Sequence, residues 1–372
     1  MERLRKLISE IGGHPRLLAI VLGAGAACGF QPLRLWPLTL IAVALLIELA
    51  ARARRARDAA LVGWLFGVGH FTLGNNWIAT AFTYQANMPQ WLGWIAVFLL
   101  SLYLAVFPML SVLGAWLFAR RFAVRDGAAP LPWLGLALVP FWIVGEWLRS
   151  WVFTGFAWNP LGIVLLGGFD GQGLAFLAPW LGTYGLSGLA VALAAFARSF
   201  ARSLPACDPG GPRAPAGYYA PLALIAGGGM IAPASHIAPP QGSIAFTLVQ
   251  PDVRQEFLDD PRLYESNFAR TARLSLPRRP GQQRVVFWPE SVLPDYLRDG
   301  YPEEEYLRTT YAADPAMARA RLAQVIGPRA LLLTGAAGRV VENGQGTASR
   351  NAITCARRRL FSFSSSWALC GD

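Results

Sequence analysis

Glu290 is the side chain in this sequence whose position most clearly indicates chemistry. It follows Arg284-Val-Val-Phe-Trp288, a run typical of a buried strand, and it lies on a turn bounded by Pro289 and Pro294. Layered α/β folds commonly place catalytic groups just past a buried strand, which here predicts a hydrolase-like site. A single acid at such a place is weak evidence, because most are solvated or cap a helix.

Other reactive residue types are few. The four cysteines, at positions 28, 207, 355 and 370, have irregular spacing that shows neither a metal-ligand pattern nor a disulfide framework. The only lysine is Lys6. We therefore predict no metal and no cofactor.

The composition indicates the scaffold on which Glu290 must be positioned. Hydrophobic residues make up 54% of the 372 residues and charged residues only 15%, which is typical of a protein with several membrane spans. The net charge of +11 would fit a nucleic-acid partner if it were gathered on one face of a soluble fold. The basic residues are instead scattered between apolar stretches, so we expect no nucleic acid.

Seven stretches approach the roughly 20 apolar residues that a bilayer core requires. They are 16–30, 35–51, 59–82, 91–119, 132–152, 173–200 and 218–235. The first could be a cleaved lipoprotein-type leader that ends before Cys28. Gly25 stands where such a leader has an aliphatic residue, and a second span follows almost at once, so we expect an uncleaved span.

The basic residues predict how these spans are oriented. They cluster before the first span and after the second, fourth and sixth: Arg3, Arg5, Lys6, Arg16, Arg52, Arg54, Arg55, Arg57, Arg120, Arg121, Arg125, Arg198, Arg202 and Arg213. By the positive-inside rule the N-terminus is cytoplasmic, and seven spans deliver the chain after about residue 236 to the opposite side. In a bacterium that side is the periplasm.

Within the predicted spans, Gly63, Gly67 and Gly74 are expected to let helices approach closely. His70 has two interpretations, a functional polar group inside the bilayer or a hydrogen bond to a neighbouring helix, and we favour the second. Most of the tryptophans near span ends are expected to anchor the membrane interface; they are Trp36, Trp77, Trp91, Trp94, Trp147, Trp151 and Trp158.

Residues 146–162 differ from the other connections, because one acid, one arginine and several aromatic residues occur together. They would suit a loop in the headgroup region. The alternative, which we favour slightly, is an ion pair between Glu146 and Arg149 at helical i, i+3 spacing with an aromatic belt beside it.

Beyond the Pro/Gly-rich bridge at 233–242 the sequence changes to that of a soluble α/β domain. Strands are predicted at 243–250, 284–288 and 330–334, and helices at 264–276 and 316–326. This alternation is typical of a layered α/β fold. We divide the chain into a helical bundle at 1–235, a partial α/β domain at 243–354 and an aberrant tail at 355–372.

The chain resembles the apolipoprotein N-acyltransferases of bacterial inner membranes. The residues that carry the resemblance are, in chain order, Trp36-Pro-Leu, Glu146-Trp-Leu-Arg149, Thr154-Gly-Phe-Ala-Trp-Asn-Pro-Leu-Gly162, Leu248-Val-Gln-Pro251, Phe287-Trp-Pro-Glu-Ser-Val-Leu-Pro294, Leu333-Thr-Gly335 and Asn351-Ala-Ile353. The resemblance implies a membrane bundle that carries a periplasmic nitrilase-type domain, an αββα sandwich.

The resemblance also implies a Glu-Lys-Cys triad. Glu290 matches the glutamate, which acts as general base toward the cysteine thiol. The thiolate takes an acyl chain from a phospholipid as a thioester, and the amine of a diacylated apolipoprotein receives it. The lysine helps to stabilise the oxyanion of each tetrahedral intermediate.

The sequence departs from this pattern near its end. No lysine or cysteine in the expected contexts follows Asn351, and the residues from Cys355 onward are an arginine run and a serine run. A frameshift, a premature stop or a gene-model error would produce such an ending, so we expect a chain truncated inside its nitrilase-type domain and inactive as it stands. A further departure is Asp259, which stands where the family often has a tryptophan.

Three further possibilities were weighed. Cys355 and Cys370 are thiols, but neither has an assignable base and oxyanion group, so we do not expect either to be the nucleophile. A multi-span transporter would show internal repeats with broken polar helices, and none is evident. A non-catalytic membrane fragment would keep the bundle without chemistry.

Overall fold

The computed structural model describes residues 14–84, 89–126, 131–153, 155–167, 171–203, 227–230, 242–258, 260–279, 281–289, 292–342 and 345–357. The chain divides into two compact units, Met1–His236 and Ile237–Asp372. Glu290, Lys6, Cys207, Asp259 and Cys370 lie outside the described residues.

The first unit is helical. Its helices are α1 Pro15–Ala27, α2 Trp36–Arg52, α3 Ala56–Gly74, α4 Trp77–Ala81, α5 Gln90–Leu104, α6 Val106–Asp126, α7 Leu131–Arg149 and α8 Ala178–Ser203. Short 3-10 turns lie at Phe82–Tyr84, Leu161–Leu166 and Gly173–Leu177. Proline occupies the first turn of α1 and α2, where its missing N–H leaves no bond unmade.

Two helical stretches among the described residues are long and apolar enough to cross a membrane, Trp91–Arg121 and Gly173–Arg202. They coincide with the predicted spans at 91–119 and 173–200. The remaining predicted spans are shorter or interrupted: α1 has 13 residues, and Asn75 and Asn76 separate α3 from α4. Apart from 227–230, the predicted span at 218–235 lies outside the part of the chain that the structure describes.

Glycines set the closest helix contacts in this unit. A Cβ atom at Gly63 would lie 2.9 Å from the Pro108 carbonyl oxygen, and one at Gly67 would lie 2.7 Å from the Ala105 Cα. The predicted role of these glycines in close packing is confirmed. A tighter approach, not predicted, joins α1 to α3, where a Cβ at Gly23 would lie 2.0 Å from the Phe66 carbonyl oxygen.

We expect Gly23→Ala to destabilise the helical unit by about 1–3 kcal/mol or more, because the added methyl group meets rigid backbone and the two helices must separate. Gly25→Ala is a matched control on the same helix, since its Cβ would only touch the Leu38 side chain at 3.9 Å. Thermal unfolding of both variants in detergent measures the difference. Equal melting temperatures would contradict the close packing of α1 on α3.

The second unit is an α/β layer. Its strands are β1 Ala245–Leu248, β2 Arg284–Phe287, β3 Ala330–Glu342 and β4 Gln345–Arg357, and its helices are α9 Gln255–Leu258, α10 Tyr264–Leu274, α11 Glu303–Thr309 and α12 Pro315–Ile326. The described sheet has the order β1-β2-β3-β4, in which β1, β2 and β3 are parallel and β4 is antiparallel to β3. The predicted strands and helices of this unit are confirmed.

The boundary predicted between the partial domain and the tail, at residue 355, stays a prediction. Cys355 lies in β4, opposite Leu333 of β3, and the ladder continues to Arg357 opposite Leu331. The residues from Gln345 onward, most of them small or polar, form a hairpin with β3 that sequence reasoning missed. Residues 358–372, which carry the serine run, lie outside the described residues.

Candidate functional site

The core of the second unit fixes the chain on both sides of Glu290. The Trp288 N–H donates to the Leu333 carbonyl at 2.9 Å, and its indole Nε1 donates to Ser275 Oγ at 2.7 Å. After the turn, Val292 and Leu293 are buried in the same core. The described residues on either side of Glu290 are therefore fixed by this core.

A small cavity lies beside this turn. Its lining residues are Val253, Leu258, Tyr264, Asn267, Thr271, Val292 and Pro294, and the last two follow Glu290 by two and four positions. The polar groups of Asn267 and Thr271 bond inward, to the carbonyls of Phe257 and Asn267 at 3.1 and 2.8 Å. The cavity thus has mainly apolar walls, suited to an apolar group.

Two charged side chains are buried among the residues of this unit whose burial the structure describes, Arg284 and Asp295. Arg284 donates to Thr247 Oγ1 at 2.9 Å and also to the Ser275 carbonyl, so it ties β2 to β1 and to the end of α10. Burial raises the pKa of Asp295, whose Oδ1 accepts from the Tyr311 N–H at 2.7 Å. Both serve the structure around the turn, because each already bonds to backbone or side-chain partners.

Two of the four cysteines lie in the described helices and strands or directly beside them. The Cys28 thiol is partly buried and lies 3.5 Å from the Ala24 carbonyl, as expected for a helical structural residue. Cys355 lies in β4. No group of three or more His, Cys, Asp or Glu side chains that could hold a metal ion occurs in the described residues.

The first unit contains a polar cluster that the sequence indicated only in part. Glu146, near the end of α7, is buried, and its Oε1 accepts from Trp142 Nε1 at 2.9 Å and from the Leu161 N–H at 2.8 Å. Glu146 therefore caps the 3-10 turn that begins at Leu161. It connects α7 to the segment that follows it.

Arg149 also connects α7 to the segment that follows it. Its Nη1 donates to the carbonyls of Phe156 and Trp158 at 3.0 and 2.6 Å, and its guanidinium lies 5.1 Å from the centre of the Phe71 ring. The predicted Glu146–Arg149 ion pair is wrong, because among the described contacts both side chains bond to the segment 155–161 and not to each other. We call 155–161 the strap.

Asn159 joins the strap to α3. Its Nδ2 donates to the Gly74 carbonyl and to Asn75 Oδ1, both at 3.0 Å, and it has a φ of 54°. Asparagine tolerates this left-handed conformation better than most residues. Sequence reasoning missed the pairing of the buried Asn75 with the partly buried Asn159, because the only signal of each was an amide side chain beside an apolar helix.

His70 lies against the same cluster. Its ring is buried among Phe30, Phe66 and Phe71, with centroid distances of 5.4, 6.2 and 5.1 Å, and it interacts with the Gly23 backbone. The interpretation of His70 as a residue that bonds a neighbouring helix is confirmed.

Aromatic side chains form the exposed side of this region. Trp158 on the strap packs edge-on against Trp77 at 5.6 Å, and Trp147 packs against Trp151 at 5.2 Å. Six of the seven tryptophans predicted as interface anchors are about half exposed or more: Trp77, Trp91, Trp94, Trp147, Trp151 and Trp158. Trp36 packs against the core instead.

Comparison with known proteins identifies the helical unit. Residues 22–196 match the sequence model of the apolipoprotein N-acyltransferase N-terminal domain. The apolipoprotein N-acyltransferase of Ralstonia nicotianae is 40% identical over 182 residues, which are 48% of this chain and 32% of the relative.

Other relatives extend the similarity into the second unit. The apolipoprotein N-acyltransferase of Bordetella bronchiseptica is 33% identical over 77% of this chain and 54% of its own length. That of Bradyrhizobium diazoefficiens is 29% identical over 90% of this chain and 60% of its own length. The chain spans about half the length of the curated relatives it matches.

Proposed function

We propose that this chain, which is related to apolipoprotein N-acyltransferases and carries their N-terminal domain at residues 22–196, provides the membrane bundle and the first part of the catalytic domain of such an enzyme. The observation that carries the proposal is the combination of that domain with the Trp-Pro-Glu sequence that follows β2, where Trp288 before Glu290 and Val292 after it are buried in the core. The reaction moves an acyl chain from a phospholipid to the N-terminal amine of a diacylated lipoprotein.

The surface of the helical unit supports a membrane location. Large apolar side chains point outward along several helices, among them Ile41 on α2, Leu99 on α5 and Leu136 on α7. A soluble protein rarely exposes so many large apolar groups, whereas lipid tails would cover them. We propose about seven spans in a bacterial inner membrane, with the second unit, of nitrilase type, in the periplasm.

We assign the proton transfers of this reaction to Glu290. Glu290 takes the proton of a cysteine thiol, and the thiolate attacks the ester carbonyl of the phospholipid. The carbon–oxygen bond to glycerol breaks, and Glu290 returns the proton to the departing alkoxide. The lipoprotein amine then attacks the thioester, the carbon–sulfur bond breaks, and Glu290 carries the amine proton to the sulfur.

The structure is compatible with this role of the turn. A base must stay within hydrogen-bond reach of the thiol during both half-reactions, and a turn with both ends anchored in a core can hold it there. The lysine and cysteine of the triad have no counterpart in this chain, whose only lysine is Lys6.

The test is acyl transfer by a version of the protein that extends through the lysine and the cysteine. The purified protein is incubated in detergent with a phospholipid and a diacylated peptide, and the peptide is analysed by mass spectrometry. We expect a gain of one acyl chain that requires the phospholipid. A transporter, or a bundle that only binds lipoprotein, would leave the mass of the peptide unchanged.

The proposed topology makes a separate prediction. Reporter fusions placed after Arg57, Arg125 and Arg202 are expected to report the cytoplasm, because basic loops stay inside. Fusions after Asn159 and Gly242 are expected to report the periplasm. A cytoplasmic signal after Gly242 would contradict seven spans and with them the periplasmic position of Glu290.

A further inference from the structure

A cavity in the helical unit borders the polar cluster at the end of α7. Its lining residues are His70, Phe71, Phe107, Pro108, Ser111, Trp142, Gly145, Glu146, Arg149 and Asn159. They come from α3, α6, α7 and the strap. This cavity plays no part in the proposed reaction, so its polar lining needs a separate explanation.

Two buried polar atoms on its lining residues have no hydrogen-bond partner among the described residues. They are Oε2 of Glu146 and Nδ1 of His70. The Ser187 hydroxyl also stabilises the Glu146 carboxylate, but outside ordinary hydrogen-bond geometry, since it donates to the Thr183 carbonyl at 3.4 Å and accepts from the Gly162 N–H at 2.8 Å. A buried polar atom without a partner is rare, because losing its bond to water costs about 1–3 kcal/mol.

The size of the cavity limits what can satisfy these atoms. The room for a water-sized molecule inside it is about 20 Å³, slightly more than the roughly 10–15 Å³ that one water molecule needs. A lipid headgroup is too large for this space. A cation would meet the guanidinium of Arg149 on the same wall. Water can donate to both unpartnered atoms and carries no charge.

We infer that this cavity is an internal hydration site, in which an ordered water molecule donates hydrogen bonds to Glu146 Oε2 and His70 Nδ1. The water completes the bonding of Glu146, whose other oxygen caps the turn at Leu161. It also links α3 to α7 on the side where the strap is held by Arg149 and Asn159. The site is therefore part of what fixes the strap, and it does not depend on the proposed acyl transfer.

His70→Phe is the variant that tests the site without touching the strap. The ring keeps its place among Phe30, Phe66 and Phe71, while Nδ1 and the interaction with the Gly23 backbone are removed. Loss of one bond of the water is expected to speed amide hydrogen exchange at Leu161 by about three- to tenfold, the range that corresponds to one ordinary hydrogen bond. The measurement uses the whole chain in lipid nanodiscs.

Trp64→Phe serves as the matched control. It removes from the same helix α3 one ring nitrogen, which donates to the Leu102 carbonyl at 3.1 Å outside the cavity, so exchange at Leu161 is expected to stay within about twofold of the original. A structure at better than about 2 Å resolution, where ordered waters are visible, should show one water within hydrogen-bond distance of both atoms.

Two results would overturn the inference. One is density for a direct bond between Ser187 and Glu146 Oε2, or for a lipid group, in place of the water. The other is unchanged exchange at Leu161 in a folded His70→Phe protein. If the His70→Phe protein does not fold, the structure of the unaltered chain is the test. Density for a water beside Glu146 Oε2 then supports the inference, and density for another group there overturns it.

Discussion

Glu290→Gln is expected to slow formation of the acyl-thioester by about 10²- to 10⁴-fold, the range typical of a lost general base. The amide keeps the size and hydrogen-bonding capacity of the side chain but cannot accept the thiol proton. The measurement is the rate at which a version of the protein that contains the lysine and cysteine gains the mass of one acyl chain from phospholipid.

Glu304→Gln is the matched control for this prediction. Glu304 lies in the first turn of α11 on the surface of the same unit, so the variant loses the same charge at an exposed site. Its rate is expected to equal that of the unaltered enzyme. An unchanged rate in Glu290→Gln, with both proteins present in the membrane, would make Glu290 a structural turn residue.

Arg149→Met is expected to lower the free energy of unfolding of the helical unit by about 3 kcal/mol, because partly buried bonds from a charged donor to the carbonyls of Phe156 and Trp158 are worth about 1.5–3 kcal/mol each. Methionine keeps much of the packing against Phe71 but leaves both carbonyl groups without a donor. Thermal unfolding in detergent measures the loss.

Two other variants, Arg149→Lys and Arg121→Met, serve as comparisons for Arg149→Met. Lysine keeps the charge but lacks the planar fork that reaches two carbonyls, so an intermediate loss is expected. Arg121 is exposed on α6, and its replacement should change stability by less than about 0.5 kcal/mol. Similar stabilities for the Arg149 and Arg121 variants would mean that the strap is held without the Arg149 bonds.

The sequence predicted the second unit well because its signals are local. Short β-branched and apolar runs such as 284–288, separated by amphipathic helices such as 264–274, specify parallel strands with helical crossovers. The hairpin of β3 and β4 was missed, because Gly335 and the small residues of β4 lack the alternation by which a strand is recognised.

The polar cluster of the first unit could not be predicted, since its partners are distant in sequence. Asn159 bonds to Gly74 across 85 positions, and nothing in either local pattern specifies that contact. Glu146 and Arg149 were noticed, but helical spacing suggested that they pair with each other. Backbone groups of the strap compete for the same side chains, and an isolated sequence motif does not reveal this competition.

The most direct measurement is growth of bacteria depleted of their own apolipoprotein N-acyltransferase, together with mass analysis of their lipoproteins. We expect rescue and N-acylated lipoprotein from a version that extends through the lysine and cysteine, and neither from its Glu290→Gln variant nor from residues 1–372 alone. Rescue by residues 1–372 that is lost on Cys355→Ser would contradict this account and make Cys355 the nucleophile. Failure of the extended version, when it is present in the membrane, would contradict the acyltransferase function itself.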